Sequence, residues 1–151
     1  MDVKFRIATA EDLPALIGML ADDHLGAKRE DFSDPINPAY VSAFQKIEAD
    51  PNNDIVVATL NNKVVGTLQM TIIPNLSFIG SDRCIIQAVR ISSELRGHGL
   101  GSQLMNWAVD RARKHGCVMV ELASNLKRPD AIRFYKKLGF DPSHQGFKLM
   151  L

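Results

Sequence analysis

Val3, Phe5 and Ile7 alternate with Lys4 and Arg6, a period of two that predicts a half-buried first strand. In Thr9-Ala10-Glu11-Asp12, Thr9 is placed to cap a helix and Asp12, three residues on, to reach back to it. Leu13, Leu16, Ile17 and Leu20 then recur at helical spacing and predict a helix over 10–21, with Pro14 tolerated near its first turn. The period is lost over 22–38, where charges of both signs surround Gly26 and Pro35 and Pro38 follow, so this stretch predicts a loop. Tyr40, Val41, Phe44 and Ile47 mark a second helix over 39–49, closed by Asp50-Pro51-Asn52-Asn53. Strands over 54–60 and 63–73 are joined by Asn61-Asn62, residues that tolerate positive φ and suit a tight hairpin. The segment up to Arg83 reads as a further hairpin connection.

The most informative stretch is Cys84 to Leu104, CIIQAVRISSELRGHGLGSQL. A strand of branched apolar residues runs into Arg96-Gly97-His98-Gly99-Leu100-Gly101-Ser102 and then an amphipathic helix whose inner face carries Leu100, Leu104, Trp107, Ala108 and Ala112. Alternating glycines remove the Cβ atoms that would hold a ligand off the backbone, at the positive end of a helix, which suits a phosphate-bearing cofactor. The phosphate-loop pattern of nucleotide hydrolases fails, because Ser102-Gln103 stands where it needs Lys followed by Ser or Thr. The dinucleotide fingerprint counted from Gly97 meets Ser102 at its last glycine, although Glu121 lies about 20 residues on, where that fingerprint places its acid. Gly116 stops the helix, and the apolar run 117–122 predicts a strand covered on both faces, in a right-handed βαβ unit with a parallel pair. Pro129 opens a short helix with Ala131, Phe134, Tyr135 and Leu138, Gly139 ends it, and Phe147, Leu149 and Leu151 predict a last strand. The order is β α α β β β α β α β, a layered α/β domain over residues 1–151.

Composition narrows the function without naming it. With 18 Lys and Arg against 17 Asp and Glu, the net charge of +1 gives no reason to expect a nucleic acid or an acidic membrane as partner. The two cysteines, Cys84 and Cys117, have no metal-binding or redox spacing, so buried free thiols and a reducing cytoplasm are expected, and no metal site. No signal peptide or membrane span is expected from the charged, alternating N-terminal residues or from any apolar run.

Arg96-x-x-Gly99-x-Gly101 resembles the (Arg/Gln)-x-x-Gly-x-(Gly/Ala) loop of the GNAT superfamily of N-acetyltransferases, and Ala131-Ile132-Arg133-Phe134-Tyr135-Lys136-Lys137-Leu138-Gly139-Phe140 resembles its A-x-x-F-Y-x-x-x-G-F block. The resemblance implies the GNAT fold: a mixed, mostly antiparallel central sheet, a parallel splayed pair at the cofactor site and helices on both faces. It implies acetyl-CoA as cosubstrate, with Val89, Arg90 and Ile91 holding the pantetheine arm, the N–H groups of Arg96, Gly97, His98, Gly99, Leu100, Gly101 and Ser102 binding the pyrophosphate, and Asn125 serving the cofactor.

Acetyl transfer to an amine needs a neutral amine, a stabilised oxyanion and a proton for the leaving thiolate. A backbone N–H near Val89 to Ile91 is the candidate oxyanion donor, and by resemblance Tyr135 is the general acid. Several relatives carry a glutamate near Gln87, which cannot accept a proton, so no base is assigned; Asp22, Asp23, His24 and Glu30 are candidates without geometry. The segment from Glu121 to Tyr135 with Ser143-His144 resembles aminoalkylphosphonate N-acetyltransferases, and Arg29, Lys127 or Arg128 could hold an anionic acceptor. The expectation is a cytoplasmic N-acetyltransferase of a small-molecule amine. A protein or peptide acetyltransferase and a non-catalytic acyl-CoA sensor stay open, as does a homodimer formed through an added C-terminal strand or an exposed helix face.

Overall fold

The computed structural model describes residues 1–151, which divide into two compact units, Met1–Glu121 and Leu122–Leu151. The first contains one five-stranded sheet in the order β1 (Val3–Ile7), β2 (Asn53–Leu60), β3 (Lys63–Ile73), β4 (Arg83–Ile91) and β5 (Met119–Glu121). Neighbours are antiparallel except β4 and β5, which run parallel. The helices of this unit are α1 (Leu13–Ala21), α2 (Gly26–Arg29), α3 (Pro38–Ala49), the four-residue turn α4 (Ser77–Gly80) and α5 (Leu100–Lys114).

Alternation along β2 assigns these helices to faces. Asp54 reaches across to Arg111 of α5, with Nε and Nη2 donating at 3.2 and 3.1 Å. Val57, and Ile55 beside it, pack into a core cluster with Leu13 and Leu16 of α1 and Phe44 of α3. Even and odd positions of a strand point to opposite faces, so α5 lies on one side of the sheet and α1 with α3 on the other. On its own side α5 buries Leu100, Leu104, Met105, Ala108 and Ala112, and Trp107 stacks on Phe5 of β1 with centroids 6.1 Å apart.

Local chemistry explains the element ends. Asn61 and Asn62 both take positive φ in the β2–β3 turn. Asn37 caps α3 by accepting from the Ala39 N–H at 3.0 Å. Before α1, a 3₁₀ turn at Ala10–Asp12 is held by the Thr9 N–H donating to Asp12 Oδ2 at 2.8 Å. The Arg6 guanidinium grips the same carboxylate with both terminal nitrogens, at 2.7 and 3.0 Å.

Three expectations are corrected. The loop over 22–38 contains the short helix α2, whose Gly26 N–H donates to Asp23 Oδ1. β5 is three residues long and only half-buried, with Val118 53% exposed, so it is not covered on both faces. The connection before Arg83 is the expected hairpin, joining antiparallel β3 and β4, with left-handed backbone at Phe78 and Ile79 inside α4. The last strand does not form: residues 140–151 belong to no strand, and Phe147, Leu149, Met150 and Leu151 are exposed.

The second unit holds α6 (Pro129–Lys137), with Pro129 in its first turn as expected. Gly139, at φ 95°, ends it, and the Phe140 N–H returns to the Tyr135 carbonyl at 3.1 Å. No helix of the chain is long and apolar enough to cross a membrane.

The Arg6 hydrogen bonds hold the buried Asp12 carboxyl below its ordinary pKa, against the opposing effect of burial. Asp12→Asn should cost about 1–3 kcal/mol, the scale of a charged hydrogen bond. Because the folded pKa is the lower one, the stabilisation is complete above the unfolded value of about 4 and is lost as pH falls through the folded value. Thermal melts of the two proteins should differ by a constant amount at neutral pH and converge in acid. A difference that persists unchanged in acid would contradict this account.

Candidate functional site

β4 begins as an ordinary inner strand. It pairs with β3 from Arg83 opposite Ile73 to Gln87 opposite Gln69, and with β5 at Arg83, Cys84 and Ile85. The β3 register then slips: Thr67 lies opposite Arg90, so Leu68 alone faces both Ala88 and Val89. This is a β-bulge, and Ala88 carries the extra residue in left-handed backbone at φ 55°. Past Ile85 no residue of β4 has a partner on the β5 side. Arg90 and Ile91 therefore pair with β3 on one flank with no strand on the other, and the Val89 carbonyl accepts from Arg90 Nη1 at 2.9 Å.

That flank leads into the glycine loop. The Ser92 N–H still holds to the Val65 carbonyl at 2.8 Å, and Arg96 Nε folds back to the Ile91 carbonyl at 3.2 Å. Gly97 and Gly99 both take φ above 80°, where L side chains are strained, and a methyl group added at either would meet no atom within 4 Å. These glycines shape backbone beside open space; they are not packed shut. Gly99 is the N-cap of α5 and provides no side chain to satisfy the first helical N–H groups. His98 stays on the loop, its Nδ1 3.1 Å from the Arg96 carbonyl oxygen, with the role of the ring nitrogen set by its tautomer. The result is a cradle of donors, 15 residues of aligned helix behind it, that favours an anion.

An apolar cavity of about 180 Å³ opens on the opposite face, between α1, α3 and the sheet. Ala88 and Gln69 line it, so the bulge forms part of its wall. Gln87 is exposed and lies opposite Gln69, which puts it on the same face. Tyr40 of α3 lines it as well, and its hydroxyl donates to Glu30 Oε1 at 3.0 Å while accepting from the Asp31 N–H at 2.9 Å. Burial pushes the Tyr40 phenol above its ordinary pKa, and the Glu30 carboxylate adds to the shift. Among the acidic candidates, only Glu30 is one hydrogen bond from the cavity wall; Asp23 is spent on the start of α2, and Asp22 and His24 are exposed. Arg29 is already paired with Glu30 at 2.7 Å, which weakens it as an anion site. Sequence reading treats Tyr40 as a core residue only, because helical spacing shows which face it occupies and nothing of where its hydroxyl ends.

Asn125 and Tyr135 belong to the second unit. Asn125 Oδ1 accepts from the Lys127 N–H at 2.9 Å, closing the turn before α6. Tyr135 is half-buried on α6, its ring edge-on to Phe134 at 5.1 Å and to Phe140 at 5.9 Å between centroids. Ser143 and His144 are in mutual contact, with Oγ and Nδ1 2.6 Å apart.

Comparison with known proteins agrees with this geometry. The profile of the Acetyltransferase (GNAT) family matches residues 19–140. The aminoalkylphosphonate N-acetyltransferase of Salmonella typhimurium is 31% identical over 147 residues, 95% of this chain and 88% of that protein. Among solved structures, a protein from Bacillus halodurans described as a transcriptional regulator is 46% identical, with a TM-score of 0.97 over 99% of both chains. A putative acetyltransferase from Agrobacterium tumefaciens is 28% identical, with a TM-score of 0.87 over 98% of this chain and 99% of its own.

Neither thiol is prepared as a nucleophile. Cys84 is fully buried and burial pushes its pKa up to about 11; Cys117 is half-buried and also raised, by burial and then by Asp82. At about pH 8, Cys84 in the native protein should react with a thiol reagent at least about 10²-fold more slowly than an exposed cysteine. Mass mapping after labelling checks this. Rapid modification of Cys84 would reopen a covalent acyl-cysteine route.

Proposed function

The chain belongs to the GNAT family of acetyltransferases, and we propose that it moves an acetyl group directly from acetyl-CoA to the primary amine of a small molecule. The observation that carries this reading is the course of β4. Its pairing with β5 stops after Ile85, it bulges at Ala88, and it then runs into an open glycine loop at an uncapped helix start. Val89, Arg90 and Ile91, which lie beyond the last residue that β4 pairs with β5, are assigned to a pantetheine arm, and the amides of Arg96 to Ser102 to a diphosphate. Asn125 is assigned to the cofactor on the family resemblance alone.

The chemistry then follows from what a thioester and an amine require. The amine lone pair attacks the carbonyl carbon and a C–N bond forms. A β4 amide near Val89 to Ile91 donates to the resulting oxyanion. The C–S bond breaks, and Tyr135 gives its phenolic proton to the departing thiolate, whose conjugate acid has a pKa of about 8.5. The proton shed by the amine restores the phenol through solvent. Glu30, held between Arg29 and the Tyr40 hydroxyl, is one hydrogen bond from the apolar cavity but already ion-paired, so no carboxylate is assigned to receive the amine.

The Salmonella protein is named for aminoalkylphosphonates. An acceptor for this chain would share the primary amine, while the apolar wall favours an aliphatic body over a densely charged one. A net charge of +1 favours a small-molecule substrate over a polyanionic partner.

A panel of aliphatic amines, aminophosphonates, polyamines, aminoglycosides and peptides, followed by release of free coenzyme A, tests the reading. Turnover of a small primary amine is expected, and Tyr135→Phe should lower it about 10²-fold with little change in acetyl-CoA affinity. Acetyl-CoA binding without turnover of any amine would favour a sensor. Unchanged turnover in Tyr135→Phe at saturating acceptor would remove the acid role.

A further inference from the structure

Behind the apolar cavity lies a row of polar side chains with no part in the steps above. Asn53, at the start of β2, stands opposite Thr71 of β3, and Gln69 lies two residues along on the same face. Asn53 Nδ2 donates to Asp50 Oδ2 at 2.7 Å, while the other oxygen of that carboxylate accepts from the Asn52 N–H at 2.9 Å. Asn53 Oδ1 accepts twice, from Thr71 Oγ1 and from Gln69 Nε2, the latter at 3.2 Å. Asp50, Asn53, Gln69 and Thr71 are all half-buried.

The row has a direction. A carboxylate accepts and does not donate, so Asp50 faces the NH₂ group of Asn53 and leaves its Oδ1 to β3. An amide oxygen likewise only accepts, so Gln69 meets it with its own NH₂ group. The Gln69 amide is thereby held with its nitrogen spent on protein and its Oε1 left for the cavity that it lines. Gln87, its cross-strand neighbour, is exposed and outside that lining. The other polar side chains on the wall are committed elsewhere, the Thr67 hydroxyl to the Val56 carbonyl at 2.9 Å and the Tyr40 hydroxyl to Glu30. The charges nearest the cavity stand behind its wall: Glu30, paired with Arg29, behind Tyr40, and Asp50 behind Asn53.

We propose that Gln69 receives the acceptor's amine, its Oε1 accepting one N–H of the free base, and that Asn53 and Asp50 are positioning residues that hold the amide in this orientation. The proposal rests on the acetyl-transfer reading and narrows its substrate class to primary aliphatic amines bound uncharged. Only the free base has the lone pair that attacks a thioester, and an apolar wall without a charge penalises the ammonium. A carboxylate at this position would raise the pKa of the amine and hold it in the unreactive form; a neutral amide oxygen orients the N–H without that effect. Ala88 lines the same cavity, so an amine on Gln69 lies on the bulged side of β4 with its lone pair available to the carbonyl carbon.

Butylamine is the probe. Titrated into isotopically labelled protein with coenzyme A present, at about pH 9 where part of the amine is free base, it should shift the side-chain amide signals of Gln69 saturably. In assays of coenzyme A release at saturating acetyl-CoA, Gln69→Met should raise the KM for butylamine about 10-fold and leave acetyl-CoA affinity unchanged. Asn53→Ala should do the same, and adding it to Gln69→Met should cost nothing further, because Asn53 acts through Gln69. Gln69→Glu should move the rising limb of the kcat profile to higher pH by about one unit, a change that lost packing does not produce. A shift at Gln69 without release of coenzyme A would keep the amine site and remove the transfer reading. An unmoved Gln69 signal overturns the proposal whether or not coenzyme A is released and whether or not the variants fold. An unchanged KM in Gln69→Met, additive losses in the double variant, or an unmoved kcat limb in Gln69→Glu overturns it as well.

Discussion

A residue too many in β4 governs this molecule. Ala88 and Val89 stand opposite the single residue Leu68, and the surplus is absorbed by Ala88 in a left-handed conformation that costs a non-glycine residue about 1–2 kcal/mol. The neighbouring register makes that cost tolerable, since the ladder with β3 resumes at Arg90 and Ile91 opposite Thr67 and Gly66. The parallel pair stops after Ile85 and Glu121, where β5 ends, and the bulge follows three residues on.

The surrounding elements exploit that opening from two sides. On one face α5 anchors itself with a row of buried side chains and aims its first amides at the loop that follows β4. On the other, α1 and α3 leave an apolar cavity that reaches the bulge itself, with the Tyr40 hydroxyl fixed between Glu30 and the Asp31 amide. An anion-favouring cradle and an apolar chamber thus lie on opposite faces of one strand. On the reading proposed above, one would receive the cofactor and the other the amine, with a strand amide between them.

How much of this could be read from the residues differs from place to place for physical reasons. The hairpin at Asn61-Asn62, the Thr9 to Asp12 turn and the glycine loop are local: each is specified by residues that occupy it, and each has the structure its letters predict. The bulge had no such marker. Cys-Ile-Ile-Gln-Ala-Val-Arg-Ile reads as an unbroken strand, and the strain at Ala88 comes from the register of β3, which is a tertiary fact. The left-handed Phe78 and Ile79 escape notice for the same reason, since bulky residues give no local reason to adopt that conformation. Tyr40 shows only its ring in the helical pattern, because its hydroxyl partners, Glu30 and the Asp31 amide, come from a stretch without periodicity. The alternation at Phe147, Leu149 and Leu151 names a face but not the strand that would receive it.

The central claim is that the main chain after the bulge is left open in order to be occupied. Backbone amide spectra of the isotopically labelled protein, recorded while acetyl-CoA is titrated in, address it directly. The account predicts that the largest shifts fall on Val89 to Ile91 and on Arg96 to Ser102, and that these amides become protected from exchange at saturation. Saturable binding that leaves both stretches unperturbed, or no binding at all, would contradict it.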